Sequence, residues 1–297
     1  MALGIRLSRL FHGIYTPKEL LLWLIDGISS RLLHKESNLY VREHVRRILK
    51  PDGESYHIKD IRLPLLDSYN ERVLSAEMFD DTFYSYVHCN DRYEEEVFDR
   101  CDKFLSEGLY GLVNDKVKVA VKSGDIVIDA GSWIGDFAAY ASVKGAVVYA
   151  FEPTELAFKY LELTAELNGN IIPVKKGLSG RSISMDIFLN STGSSTFLAD
   201  MKSDNTDSDN VETITIDDFV RENNLPRVDF IKSDIEGFER HMLEGAQETL
   251  RRFAPKLALC TYHLPDDPQV MAELILKANP KYNIVQKRMK LFASVPD

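Results

Sequence analysis

From Lys116 onward, short apolar runs alternate with longer stretches in which apolar residues recur at helical spacing. Gly124-Asp125 reads as a turn and Ile126-Val127-Ile128 as a strand. A glycine-bearing loop follows, then a helix with Phe137, Ala138, Tyr140 and Ala141 on its apolar side. Ala146 to Phe151 is a second strand. Pro153 opens a helix marked by Leu156, Tyr160, Leu163 and Leu167, which Asn168-Gly169-Asn170 ends. Ile171 to Val174 is a third strand. Asn190 to Asn210 is rich in Ser, Thr, Asp and Asn and reads as a lid-like loop. Strands follow at 211–216, 228–232 and 257–262. Helices are expected from Asp217, over about 236–253 (stopped before Pro255) and over 268–278. The segments 282–286 and 291–294 are suited to a closing hairpin.

Strands that alternate with helices call for a mainly parallel sheet covered on both faces. The fold class predicted is therefore α/β, with a mostly parallel sheet, a C-terminal antiparallel hairpin strand and a mainly helical N-terminal extension. The boundary is placed between an extension at 1–104 and a domain at 105–297. No internal repeat is visible.

The N-terminal third has a different character. Residues 1–50 carry nine Lys or Arg against four Asp or Glu, whereas residues 51–110 carry six against fifteen. Residues 1–50 read as amphipathic helices, with Leu7, Leu10, Phe11, Leu20 to Ile25, Ile28, Leu32 and Leu33 as their apolar positions. The plain reading packs them on the body of the protein. The sharper one rests a basic amphipathic segment on a membrane surface or a partner. Residues 91–110 read as a further helix with Glu94, Glu95 and Glu96 at its start.

The 297 residues, 44% hydrophobic and 28% charged, have ordinary globular composition. A net charge of −10 argues against a nucleic-acid surface, which needs a basic patch. Cys89, Cys101 and Cys260 are odd in number and widely spaced, which points to reduced thiols, with Cys260 in the core. The longest apolar run is six residues, against about 20 needed to span a bilayer. No signal-peptide pattern is seen. A cytoplasmic location is expected, with membrane contact through residues 1–50 as the open alternative. A homodimer is compatible with the sequence.

Three features fall at the carboxyl ends of the predicted strands, where such sheets place ligands. Asp129-Ala130-Gly131-Ser132-Trp133-Ile134-Gly135 ends the first strand with an acid and follows it with two glycines, which let a ligand approach the backbone. Glu152 ends the second strand, where a carboxylate can accept from both hydroxyls of a ribose. The turn from Lys175 to Gly180, with Gly177 and Leu178, is placed to flank an adenine. The dinucleotide fingerprint GxGxxG is absent: Trp133 stands where its second glycine would be. An acid at Asp129 also disfavours a pyrophosphate, but tolerates the ammonium and sulfonium of S-adenosylmethionine. The pattern therefore favours S-adenosylmethionine as cofactor over a glycine-rich structural turn.

Asp125 to Gly135, with Tyr149-Ala150-Phe151-Glu152-Pro153, resembles motif I and its continuation in the FkbM-type methyltransferases. Val228 to Glu239, which reads VDFIKSDIEGFE, is similar to that family's signature D-F-I-K-x-D-x-E-G-x-E. Leu243-Glu244-Gly245-Ala246, Tyr262-His263 and the preceding Glu107-Gly108-Leu109-Tyr110 extend the resemblance over roughly residues 105–295. Ser132, Trp133 and Phe238 depart from the commoner residues. The resemblance implies a class I methyltransferase fold with a seven-stranded sheet, S-adenosylmethionine as donor, and mostly O-methylation of sugars, glycolipids and polyketide-type hydroxyls. It adds Tyr110 and Ser233 to Asp129, Gly131, Trp133, Gly135, Glu152, Gly177 and Leu178 as donor-binding residues.

Methyl transfer needs a positioned acceptor, exclusion of water and, for an alcohol, a route for its proton. Asp234, Glu236 and His263 are the catalytic candidates. Each has a plainer reading: Asp234 as a helix cap, Glu236 as a first-turn acid, His263 as a strand-end residue satisfied by backbone. No metal is assigned, although two carboxylates and a histidine are able to hold a divalent ion. Lys232 is expected to pair with Asp229 or Glu239. His34, His44 and His88 read as surface or structural residues, and Tyr84, Tyr86 and Tyr93 as core or surface packing, with the lining of an acceptor groove as the alternative. The expected partner is a small-molecule or glycan acceptor. N-methylation, a non-catalytic S-adenosylmethionine-binding module and a membrane-associated assembly protein are the competing readings.

Overall fold

The computed structural model describes residues 17, 18, 21, 25, 50–52, 55–58, 61–64, 112–189, 195–198, 207–287 and 290–296. The expectations for Tyr110, for His34, His44 and His88, for Tyr84, Tyr86 and Tyr93, and for the helix at 91–110 lie outside these residues. Residues 17, 18, 21 and 25 are helical, and Leu21 and Ile25 are exposed. Among the described residues, no helix is long and apolar enough to cross a membrane.

The strands are β1 (Lys50–Asp52), β2 (Ser55–Ile58), β3 (Ile61–Pro64), β4 (Leu112–Val113), β5 (Lys118–Val119), β6 (Ile126–Ala130), β7 (Val147–Phe151), β8 (Ile171–Val174), β9 (Gly177–Leu178), β10 (Ser184–Leu189), β11 (Ser195–Thr196), β12 (Asp207–Ile214), β13 (Phe230–Ser233), β14 (Lys256–Cys260), β15 (Asn283–Lys287) and β16 (Lys290–Ser294). The helices are α1 (Asp136–Val143), α2 (Glu155–Asn168), α3 (Ile216–Glu222), α4 (Glu239–Glu244), α5 (Gln247–Phe253) and α6 (Asp267–Ala278).

The central sheet has seven strands in the order β15-β16-β14-β13-β6-β7-β8. The five from β14 to β8 run parallel; β16 and β15 form the antiparallel hairpin at the edge. The predicted α/β architecture is present, down to that hairpin. The strand order reverses between β6 and β13, and this switch point opens a crevice at their carboxyl ends.

Alternation along the strands divides the core in two. Val127, Val148, Ala150, Phe230, Ala258 and Phe292 pack on one face with α1 and α2. Ile128, Phe151, Ile231, Leu257, Leu259 and Leu291 pack on the other with α3 to α6. Both faces are covered, which is why these strands read as continuous apolar runs rather than alternating ones. Buried Cys260 belongs to this interior, as expected.

Four local expectations are revised. The helix expected over 236–253 is two helices, broken at Gly245-Ala246. A Cβ on Gly245 would stand 2.3 Å from the Ser179 carbonyl oxygen, so the chain bends where another backbone crosses it. The turn at 175–180 contains β9, paired in parallel with β12. The polar segment at 190–210 holds β11 and the start of β12, both in a four-stranded sheet ordered β11-β10-β12-β9. The first residues of β12 are exposed, so no apolar alternation announced them; pairing with β10 supplies their backbone partners. Finally, the stretch read as a helical extension contains the three-stranded antiparallel sheet β1-β2-β3. Ile61 and Leu63 of β3 enter the core beside α1 and α2, and Asn168 at the end of α2 bonds both backbone groups of Arg62.

Candidate functional site

The strand register builds the site. Ala130 is level with Phe151 on β7 and with Ser233 on β13, and Ser233 with Leu259 on β14. The residues just beyond these ends, Gly131, Glu152, Asp234 and Cys260, therefore lie along one edge of the sheet. Asp234 N–H donates to the Ala130 carbonyl at 3.1 Å, and Ser132 N–H to the Phe151 carbonyl at 2.9 Å, which ties the three loops together.

Gly131 sits with φ at 71°, and a Cβ there would lie 2.0 Å from the Asp234 carbonyl oxygen. Only glycine allows the two strand ends to approach this closely. Gly135 caps α1 from the left-handed region, packed against Leu161 and Thr164 of α2. Trp133 is also left-handed, with φ at 49°, and its N–H donates to Glu152 at 3.1 Å. The Thr154 N–H and hydroxyl donate to the other Glu152 oxygen at 3.0 and 2.5 Å. Burial pushes the Glu152 pKa up, against these hydrogen bonds and the Lys232 charge. Each carboxylate oxygen carries two lone pairs, so with three donors already bound Glu152 keeps one acceptor position, on Oε2, for a ligand.

Asp129 is fully buried, with its carboxylate 3.0 Å from Lys232 Nζ. The expected partners of Lys232 are thus corrected. Asp229 instead pairs with Arg227 and accepts the Ile126 N–H, while Glu239 faces the other way. Register decides this: Lys232 and Asp129 are direct neighbours across β13 and β6, on the sheet face that carries Phe137. The ammonium also donates to the Gly131 carbonyl at 2.6 Å, so the buried pair holds the loop. Burial would lower the lysine pKa, but Asp129, Asp234 and Asp136 outweigh it and raise it. Ser233 is fully buried, and its hydroxyl has no hydrogen-bond partner in the protein. Gly177 and Leu178 are held in β9, with Leu178 in the core and a Cβ on Gly177 excluded by the Phe197 ring.

On the other side of the switch point, Asp234, Glu236 and His263 converge. Their ligating atoms lie within 4.8 Å of one another. His263 Nε2 is 3.2 Å from Glu236 and 3.9 Å from Asp234; its Nδ1 is 3.5 Å from Glu239. The imidazole side chain is 2% exposed, while those of Asp234 and Glu236 are about a quarter exposed. Burial works against charging the ring, but Glu236, Glu239 and Asp234 outweigh it and push its pKa up to about 10. Asp234 accepts the Tyr262 hydroxyl at 3.0 Å. Burial would raise the Asp234 pKa, but Lys232, Lys290, His263 and Tyr262 hold it below the ordinary value.

The plainer readings of these residues do not match the geometry. Asp234 bonds Tyr262, and the residue capping α4 is Phe238. Glu236 precedes α4 in the left-handed region, with φ at 53°. The free amides there are met by Glu239, which accepts the Ile235 N–H at 2.8 Å and the Gly237 N–H at 3.1 Å. Neither nitrogen of His263 makes an aligned hydrogen bond. The loop carrying His263 is itself fixed: Asp267 takes the Leu264 N–H and two contacts from Arg240. Glu239 and Tyr262 are the participants sequence reasoning did not assign. Glu239 closes the Asp-x-Glu-x-x-Glu spacing that begins at Asp234, and this was the available signal.

The order of strands and the ligand-facing edge define an α/β fold of the class I methyltransferase type. The family model of the methyltransferase FkbM domain matches residues 129–282, and the chain belongs to that family. A relative is the hexuronic acid methyltransferase AglP of Haloferax volcanii, 31% identical over 160 residues. The match covers 52% of this chain and 62% of that protein, so the chain spans less than two thirds of the curated relative's length. A crystal structure of methyltransferase FkbM from Methylobacillus flagellatus KT is similar at 19% identity and a TM-score of 0.46, over 90% of this chain and 60% of that one. Aeropyrum pernix fibrillarin, crystallised with S-adenosyl-L-methionine, is similar at 14% identity and a TM-score of 0.39, over 63% and 71%.

Proposed function

We propose that the chain is an S-adenosylmethionine-dependent methyltransferase that methylates an oxygen of a sugar, glycan or glycolipid. The observation carrying this reading is the register that sets Gly131, Glu152 and Asp234 along one edge, with His263 and Glu236 beside them. Family membership supports the chemistry, and the uronic acid in the relative's name supports a sugar as acceptor.

The residues fit the donor. Glu152 is oriented by Thr154 and Trp133 to accept from a ribose hydroxyl, the Ser233 hydroxyl is buried and unpartnered, and Gly131 admits the ligand to the backbone. The donor supplies an activated methyl group, so the protein's task is to hold an acceptor oxygen in line with it and to keep water out. Asp234 and Glu236, part-exposed on the rim, orient the acceptor hydroxyl. The hydroxyl proton passes to one of these carboxylates as the methyl leaves the sulfonium for the oxygen, and the charged His263 imidazole beside them balances the site.

Calorimetry with S-adenosylmethionine and S-adenosylhomocysteine tests the donor. Transfer of a labelled methyl group to uronic acids, neutral sugars and glycolipids tests the acceptor. Micromolar donor binding with label on an oxygen supports the proposal. Absence of donor binding removes it, and label on a nitrogen replaces it with N-methylation.

A further inference from the structure

We propose that Asp234, Glu236 and His263 form a site for one divalent first-row cation, manganese(II) in character. The ion's role rests on the methyl-transfer reading above; its binding does not. Hard cations with ligands at about 2.1 Å place adjacent ligand atoms about 3 Å apart and opposite ones about 4 Å apart. The 3.2 and 3.9 Å separations from His263 Nε2 to the two carboxylates match these spacings. The third edge lies within 4.8 Å, between two part-exposed side chains.

The imidazole is the independent observation. It is 2% exposed, lacks an aligned hydrogen bond at either nitrogen, and aims Nε2 into the gap between the carboxylates. A buried polar ring without a well-made bond calls for a partner. Behind it, Glu239 is fully buried and anchored by two backbone amides, with an oxygen 3.5 Å from Nδ1. A carboxylate behind a histidine fixes the ring and its tautomer, which is the usual support of a metal-binding imidazole. Two carboxylates and one imidazole, with open positions for water, suit a first-row divalent ion such as manganese better than soft metals. The remaining positions would be open to water and to the acceptor hydroxyl, whose proton a nearby cation makes easier to lose.

The test is a manganese(II) titration of the purified full chain, followed by electron paramagnetic resonance, with electron spin echo detection of the imidazole nitrogen. One ion per chain is expected, with a nitrogen coupling that His263→Gln abolishes. Glu236→Gln and His263→Gln should each weaken binding at least tenfold, and Glu239→Gln by about 10–100-fold. Circular dichroism and donor calorimetry of each variant confirm that it is folded. No binding by the wild-type chain up to about 1 mM overturns the inference, as does binding that survives both Glu236→Gln and His263→Gln. Manganese binding without donor binding would leave this site standing and remove the methyltransferase reading. Donor binding and full transfer after chelation would keep the methyltransferase reading and overturn the ion's role in the reaction.

Discussion

The two halves of the crevice handle charge in opposite ways. At the ends of β6 and β7, each acid is answered locally. Asp129 is neutralised by Lys232, and Glu152 is wrapped by Thr154 and the Trp133 amide. At the ends of β13 and β14, three carboxylates surround one imidazole, and none of its contacts with them is an aligned hydrogen bond. In the first half the charges are balanced pairwise, while the Ser233 hydroxyl and one acceptor position of Glu152 stay open. The second gathers three carboxylates around one buried ring, and they raise its proton affinity. Preorganisation suits a donor that is the same in every turnover, and unbalanced charge suits the place where charge changes during reaction.

The comparison breaks most severely at Lys232. Lys232→Met should cost about 3–5 kcal/mol of stability, because Asp129 would remain buried without its partner. Urea unfolding measures this, and a loss near zero would mean that the pair is solvated. His263→Ala should reduce turnover on the order of a hundredfold and leave donor affinity unchanged; wild-type turnover would take His263 out of the reaction. Glu152→Ala should show the converse, weakening donor binding by about 1.5–3 kcal/mol in calorimetry. Equal donor affinity in Glu152→Ala and wild type would dissolve the division between the halves. Gly131→Ala joins them: at a positive φ and against the Asp234 carbonyl, it should cost about 1–3 kcal/mol and impair donor binding and turnover together. Thr215→Ala is the smallest effect and the control. It removes the cap that accepts the Asp218 N–H at the start of α3, at about 1 kcal/mol, and should move neither affinity nor turnover beyond that loss.

The same division governs what could be read from the chain. Asp129, Gly131 and Glu152 lie within a single strand–loop–helix–strand unit, and their spacing is short enough to carry meaning by itself. The catalytic candidates were legible as a group at the strand ends, but not which of their atoms meet or that Glu239 stands behind the ring. His263 comes from a loop fixed by Arg240 and Asp267, far along the chain from Asp234, and Glu239 reads as one more acid in an acidic helix start. Lys232 shows the limit most clearly. Asp229 and Glu239 are near it in sequence, whereas Asp129 is 103 residues away and becomes its partner only through the pairing of β13 with β6.

Periodicity along one chain determined the parallel sheet, its closing hairpin and the edge where a ligand sits, because burial on both faces leaves a continuous apolar signature in each strand. Glycine and acid spacing determined the donor loop, because backbone conformation is a local property. Only the tertiary structure decided which charges meet. Ion pairs form between neighbouring strands and loops rather than neighbouring residues, and a one-residue change of register would have given Lys232, Asp129 and His263 different partners.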